Sequence, residues 1–96
     1  MEEWKWKGRF SEVNKTSKFY QLTAHAQLRL VNLETRLKDD GFELIWAMVY
    51  GDPEWLFEDE DGNVFEITVA NGEEFSTRLN GESNDSYARL LLEEIP

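Results

Sequence analysis

The chain contains no cysteine, which excludes disulfide bridges and cysteine-ligated zinc sites. A domain without disulfides is typical of a reducing compartment. Residues 1–5 lack the basic start and apolar stretch of a signal peptide. The longest apolar run, residues 44–50, is far shorter than the roughly 20 residues that span a bilayer. We therefore expect a cytoplasmic protein without a membrane partner.

Signatures of catalysis and ligand binding are also scarce. His25 is the single histidine, and the residues three and four positions away could neither complete a metal site nor supply a nucleophile. The six glycines stand singly and form no phosphate-binding loop. The acidic segment 58–63 lacks the first and last ligands of an EF-hand loop, because Phe57 and Thr68 occupy those positions. We expect no enzymatic activity, no cofactor and no bound metal ion.

Large apolar side chains, in contrast, are abundant. Hydrophobic residues make up 41% of the 96 residues and include four Trp and six Phe. A chain of this length has room for one hydrophobic core. Each large apolar side chain contributes about 1.5–3 kcal/mol when it is fully buried. Residues 1–96 are therefore predicted to fold as a single domain.

The first half of the chain predicts a strand followed by a helix. Residues 4–10 alternate large apolar with basic side chains, as a strand does. Residues 18–40 carry an apolar stripe with helical spacing, and the segment ends at Gly41, a common helix terminator. Residues 18–31 also alternate like a strand, which remains an alternative. The stripe consists of Phe19, Leu22, Ala26, Leu30, Leu33 and Leu37.

The second half predicts an antiparallel sheet and a terminal helix. A buried strand over 42–50 precedes strands over 54–59 and 63–70, which are joined by the Asp61-Gly62 turn. Asn71-Gly72 predicts a second hairpin turn before a strand over 73–79, and Ser83 or Asn84 caps a last helix. The expected fold is α+β, in the order β-α-β-β-β-β-α, with four to five strands and both helices on one face. A strand over 18–31 would give a more β-rich domain.

A second apolar stripe lies nearly opposite the first on the predicted long helix. A helix with two apolar sides is buried either within the fold or against a second chain. A homo-oligomeric structural or assembly protein is therefore an alternative function. The residues of this self-association stripe are Tyr20, Ala24, Leu28 and Val31.

Negative charge is concentrated in one part of the chain. Residues 1–38 carry eight basic and four acidic residues, whereas residues 39–96 carry two basic and sixteen acidic residues. A fixed array of carboxylates is physically similar to the phosphates of a nucleic acid and is attracted to basic clefts. The predicted partner-binding residues are Asp52, Glu54, Glu58, Asp59, Glu60, Asp61, Glu66, Glu73 and Glu74.

This pattern favours a non-enzymatic inhibitor that binds a nucleic-acid-handling protein with a basic cleft. In size and composition the chain is similar to nucleic-acid mimics, such as phage (viral) proteins that antagonise restriction or CRISPR systems, although no motif carries that likeness. The same charge would also keep an apolar domain soluble. A third interpretation is a nucleic-acid binder that uses Lys5, Lys7 and Arg9 beside aromatic residues. Strand alternation places those bases and aromatics on opposite faces, so we expect no direct binding of nucleic acid.

Overall fold

A computed structural model describes residues 12–48, 51–80 and 85–94. It has an α+β fold, as the sequence predicts, and the predicted strand over 4–10 lies outside the described residues. Two 3-10 turns, Val13–Lys15 and Phe19–Gln21, precede the helix α1. The helices and strands are α1 (Ala24–Asp39), β1 (Glu43–Met48), β2 (Glu54–Glu58), β3 (Val64–Ala70), β4 (Glu74–Asn80) and α2 (Asp85–Glu94).

Helix α1 begins later than the periodicity predicts, because Thr23 caps it. The Thr23 side-chain oxygen accepts a hydrogen bond from the backbone N–H of Ala26 at 3.1 Å. At the other end Gly41 adopts a φ of 94°, and the N–H of Phe42 donates to the carbonyl of Leu37 at 2.9 Å. The helix end predicted at Gly41 is therefore confirmed. The alternative of a strand over 18–31 is wrong, since the segment forms a 3-10 turn and then α1.

The four strands form an antiparallel sheet in the order β1-β2-β3-β4. Both predicted hairpin turns are confirmed. Gly62 has a φ of 86° in the β2–β3 turn, and Asn71 and Gly72 have φ values of 56° and 79° in the β3–β4 turn. Two consecutive residues with positive φ form the turn type that matches the twist of a hairpin, which explains why Asn-Gly is found there.

The core lies between the two helices and one face of the sheet. The first apolar stripe is buried along its whole length, as predicted. In β2 and β3 every second residue is buried, which is the pattern of a sheet covered on one side. The fully buried side chains, all at 0% or 1% relative exposure, include Leu30, Leu33, Leu37, Leu44, Trp55, Phe57, Phe65, Ile67, Val69 and Leu91.

A chain of buried hydrogen bonds attaches the first 3-10 turn to both layers. The indole N–H of Trp55 donates to the hydroxyl of Thr16 at 2.9 Å. That hydroxyl donates to the carbonyl of Val13 at 2.7 Å. The N–H of Val13 in turn donates to Glu34 Oε1 at 3.2 Å. The bonds run from the sheet through the turn to α1, so the segment before the helix is part of the packed structure.

Glu34 is the buried acid of this chain of bonds, with a relative exposure of 5%. Burial raises the pKa of its carboxyl group, while the N–H of Val13 and the ammonium of Lys38 oppose the increase. The Nζ of Lys38 lies 3.6 Å from Glu34 Oε2. Because the pKa is raised in the fold, this carboxyl favours folding at low pH, and its contribution is lost as pH rises through the folded value.

Helix α2 packs against β4 and is joined to α1 by polar contacts. Arg29 donates to the carbonyl of Leu92 at 2.9 Å, which satisfies an acceptor near the C-terminal end of α2. Its guanidinium also lies 5.0 Å from the ring centroid of Phe75 on β4. Arg36 pairs with Glu94, and the rings of Phe42, Phe65 and Tyr87 contact one another.

Candidate functional site

The surface of interest is the face of the sheet that points away from both helices. Because side chains alternate along a strand, the residues between the buried ones of β2 and β3 share this face. The strand register places residues of β1 and β4 beside them. We call this surface the open sheet face, and its described residues include Glu43, Trp46, Glu54, Leu56, Glu58, Val64, Glu66, Thr68, Ser76 and Arg78.

The nine predicted partner-binding acids do not form one continuous array. They divide into two groups at opposite ends of the sheet, with Glu66 on the open sheet face between them. The nearest members of the two groups are the first and last residues of β2, which lie about 13 Å apart along the strand. The hairpin-turn group is Glu58, Asp59, Glu60 and Asp61, and the opposite-end group is Asp52, Glu54, Glu73 and Glu74.

The carboxylate of Asp59 accepts three hydrogen bonds within its own turn. Oδ1 accepts the backbone N–H groups of Asp61 at 3.0 Å and Asn63 at 2.9 Å. Oδ2 accepts the side-chain N–H of Asn63 at 2.9 Å. These bonds, that to the Asn63 side chain first among them, lower the pKa of the Asp59 carboxyl. Asp59 therefore shapes the turn that presents Glu60 and Asp61.

The pKa of Asp59 predicts a pH-dependent stability. A carboxyl whose pKa is lowered in the fold stabilises it above the unfolded pKa of about 3.9, and this contribution is lost as pH falls through the folded value. Asp59→Ala should therefore lower the melting temperature at pH 7 and change it less at pH 2. Thermal unfolding followed by circular dichroism would measure both, with Asp61→Ala as the control in the same turn. If Asp59→Ala lowers the melting temperature by the same amount at pH 7 and at pH 2, the Asp59 carboxylate does not stabilise the fold in this way.

Negative charge is concentrated in the segment that forms the sheet. Residues 43–80 contain ten acids, and Arg78 is their single Lys or Arg. Glu43 lies directly opposite Glu58 across β1 and β2, an arrangement of like charges that opposes folding. Four salt bridges lie in the helical layer and the segment before it, namely Lys15–Glu12, Arg36–Asp40, Arg36–Glu94 and Lys38–Glu34. In the sheet, Glu54 and Glu58 also take part in interactions within the protein.

The open sheet face also carries apolar residues that the sequence analysis did not single out. Trp46 pairs with Leu56 across β1 and β2, and both side chains are half-buried. A β-bulge between Leu44 and Trp46 shifts the register, so Leu44 and Ala47 enter the core while Trp46 lies on the open sheet face. The continuous apolar run over 44–50 predicts a buried strand but gives no signal for this bulge.

The self-association stripe is interrupted in the structure. Tyr20 precedes α1 and is 71% exposed, and Leu28 on α1 is 61% exposed. Ala24 is exposed in the first turn of the helix, whereas Val31 packs against the core. Only part of the predicted stripe is therefore available to a second chain.

The other candidate sites can be located as far as the described residues allow. His25 is exposed on α1, and nowhere in the described parts of the chain do three or more His, Asp or Glu residues form a group that could hold a metal ion. No helix within the described ranges is long and apolar enough to cross a membrane. The basic residues Lys5, Lys7 and Arg9 lie outside the described ranges.

Comparisons with protein-family models, curated proteins and solved structures found no match for the chain.

Proposed function

We propose that this domain is a non-enzymatic binding protein whose acidic hairpins occupy the basic cleft of a nucleic-acid-handling protein and thereby inhibit it. The supporting observation is the distribution of charge between the layers. The sheet segment 43–80 carries ten acids and a single Lys or Arg residue, Arg78. A neutral partner surface would gain nothing from such a concentration of charge, whereas a basic cleft would.

The arrangement of the acids suggests how this inhibition would work. The nearest members of the hairpin-turn group and the opposite-end group, Glu58 and Glu54, lie about 13 Å apart along β2, and Glu66 lies between them. A cleft that binds nucleic acid contacts successive phosphates with Lys and Arg side chains. Carboxylates spread over a comparable length can pair with the same side chains, and the field they produce accelerates the encounter. Nucleic acid and this domain would then compete for one cleft.

Reversal of the charge of the hairpin-turn group tests the proposal. In the double variant Glu60→Lys/Asp61→Lys, two exposed acids change sign while Asp59 keeps its role in the turn. The matched control, Asp39→Lys/Glu93→Lys, makes the same change of charge at exposed positions on α1 and α2. The immobilised proteins are exposed to lysate of the source cells, bound proteins are identified, and double-stranded DNA is then added as a competitor.

The wild-type protein and the control should retain a basic nucleic-acid-handling protein at about 50 mM salt and lose it at about 500 mM. At the lower salt concentration, Glu60→Lys/Asp61→Lys should retain at least ten times less of this partner than the wild type does. Double-stranded DNA should displace the partner from the wild-type protein. Equal retention by the two double variants would contradict a role for the hairpin acids. A partner that DNA does not displace would contradict mimicry of nucleic acid.

A further inference from the structure

Two buried side-chain oxygens of the first 3-10 turn and α1 have no hydrogen-bond partner among the described residues. They are Oδ1 of Asn14 and Oε2 of Glu34. Asn14 follows Val13, whose backbone N–H donates to the other carboxyl oxygen of Glu34 at 3.2 Å. Because a buried acceptor without a donor opposes folding, an additional donor in this region would stabilise the contact between the turn and the helix.

Protonation of Glu34 would change this region in two ways. It removes a negative charge from a buried side chain, and a charge is much less stable in such a site than in water. It also turns Oε2 from an acceptor without a partner into a donor, while Oε1 continues to accept from Val13. The protonated carboxyl group therefore fits the buried site better than the carboxylate does.

The charged groups around Glu34 in the described ranges do not outweigh its burial. On the same helix, the Nζ of Lys38 lies 3.6 Å from Oε2, but the Lys38 side chain is 43% exposed, so water screens the attraction. In the segment before α1, Glu12 repels the carboxylate, and its Oε1 lies 3.5 Å from the Nζ of Lys15. Strand β1 also contacts α1, and its one charged residue, Glu43, lies on the open sheet face. Burial is the largest effect and raises the pKa of Glu34.

We propose that Glu34 is a pH-sensitive switch for the first 3-10 turn: its protonated carboxyl group holds the turn against α1, and its ionisation loosens the turn. The backbone N–H of Val13 is the point of attachment. The next residues extend the effect to the sheet, because the hydroxyl of Thr16 accepts from the indole N–H of Trp55. The switch does not involve the acidic hairpins, so it goes beyond the proposed function and does not depend on it.

The direction of the pH effect follows from the change in the surroundings of Glu34. While the turn is docked the carboxyl group is buried, and when the turn loosens, water reaches the group and its pKa returns toward about 4.3. The docked state therefore binds the proton more tightly than the loosened state does. As pH rises through the higher pKa of the docked state, that state loses stability relative to the loosened one. An ion pair with Lys38 that outweighed burial would give the opposite direction.

Glu34→Gln tests the switch, because glutamine has nearly the shape of the protonated carboxyl group and does not ionise. Its side chain supplies both an acceptor for Val13 and a donor. Glu93→Gln makes the same change at an exposed position on α2 and serves as the control. Hydrogen exchange of the Val13 amide and the Trp55 indole N–H is followed by NMR in the full-length proteins, at about pH 5 and about pH 7.5. The ratio of wild-type to variant rates at each pH removes the pH dependence of the exchange chemistry itself.

The ratio of the wild-type rate to the Glu34→Gln rate should rise at least two-fold from the lower to the higher pH at both sites. The ratio to Glu93→Gln should stay constant. A constant ratio to Glu34→Gln would overturn the proposal, and a falling ratio would overturn it in favour of an ion pair with Lys38. A second measurement needs no variant: the carbon-13 shift of the Glu34 carboxyl group in the wild type should titrate above pH 4.5, and a midpoint at or below about 4.3 would also overturn the switch.

Discussion

Trp55→Ala is expected to lower the free energy of unfolding by about 3–5 kcal/mol, the usual cost of removing a large aromatic side chain from a core. Trp55 has 0% exposure and lies in the middle of the core-facing row of β2, where it pairs with Ala47 and Ile67. The truncation leaves a cavity and also removes the donor that binds Thr16. Since small domains are stable by about 5–15 kcal/mol, this single change would remove a large part of the total.

Chemical denaturation with urea, followed by circular dichroism, would measure the effect. Trp46→Ala is the control, because Trp46 lies one register position away but on the open sheet face, where it is half-buried. Its loss should cost about 1–2 kcal/mol, mainly from the area it covers. If the two substitutions destabilise the protein equally, the assignment of the two tryptophans to opposite faces of the sheet is wrong.

Thr16→Val should lower the free energy of unfolding by about 1–3 kcal/mol, although the side chain keeps nearly the same shape. The hydroxyl of Thr16 accepts from the indole of Trp55 and donates to the carbonyl of Val13. Valine can do neither, so the buried indole N–H of Trp55 loses its partner, while the carbonyl of Val13 keeps its bond from the backbone N–H of Thr16 at 3.1 Å. Each buried polar group left without a hydrogen bond costs about 1–3 kcal/mol, which outweighs the gain from one extra buried methyl group.

Thr16→Ser separates the hydrogen bonds from the packing. Serine retains the hydroxyl and loses one methyl group, so its cost should stay near 1 kcal/mol. The hydrogen exchange of the Trp55 indole N–H gives a second readout, which should accelerate in Thr16→Val and change little in Thr16→Ser. A valine variant as stable as the serine variant would show that the hydroxyl does not hold the first 3-10 turn to the sheet.

Features that depend on neighbouring residues could be predicted from the sequence. The end of α1 at Gly41 and the turn at Asn71-Gly72 require positive φ angles. Glycine and asparagine adopt such angles more readily than other residues, so these residue types predict both features. The part of the apolar stripe that lies on α1, from Ala26 to Leu37, follows from helical spacing and is buried as predicted, whereas Phe19 and Leu22 are buried before the helix begins. The beginning of the helix was predicted too early, because the apolar spacing continues from Phe19 across the Thr23 cap.

Features that depend on distant residues could not be predicted in this way. Glu34 appears in the sequence as an ordinary charge on a helix, and nothing local indicates that Val13 donates to it. The division of the acids into two groups follows from the pairing of β2 with β3, which sets the ends to which Asp52 and Asp61 belong. The place of Trp46 on the open sheet face depends on the β-bulge, whose extra residue reverses the alternation.

The order of the strands has a consequence for how quickly the domain can form. Each strand of the sheet pairs with its neighbour in sequence, so all three pairings close loops of three to five residues. Short loops have a small entropic cost, and proteins rich in such local contacts reach the native state faster than those with distant pairings. The hydrogen bond between Thr16 and Trp55, in contrast, joins residues that are 39 positions apart in the sequence. The sheet can therefore assemble early, and the segment before α1 can dock onto a surface that already exists.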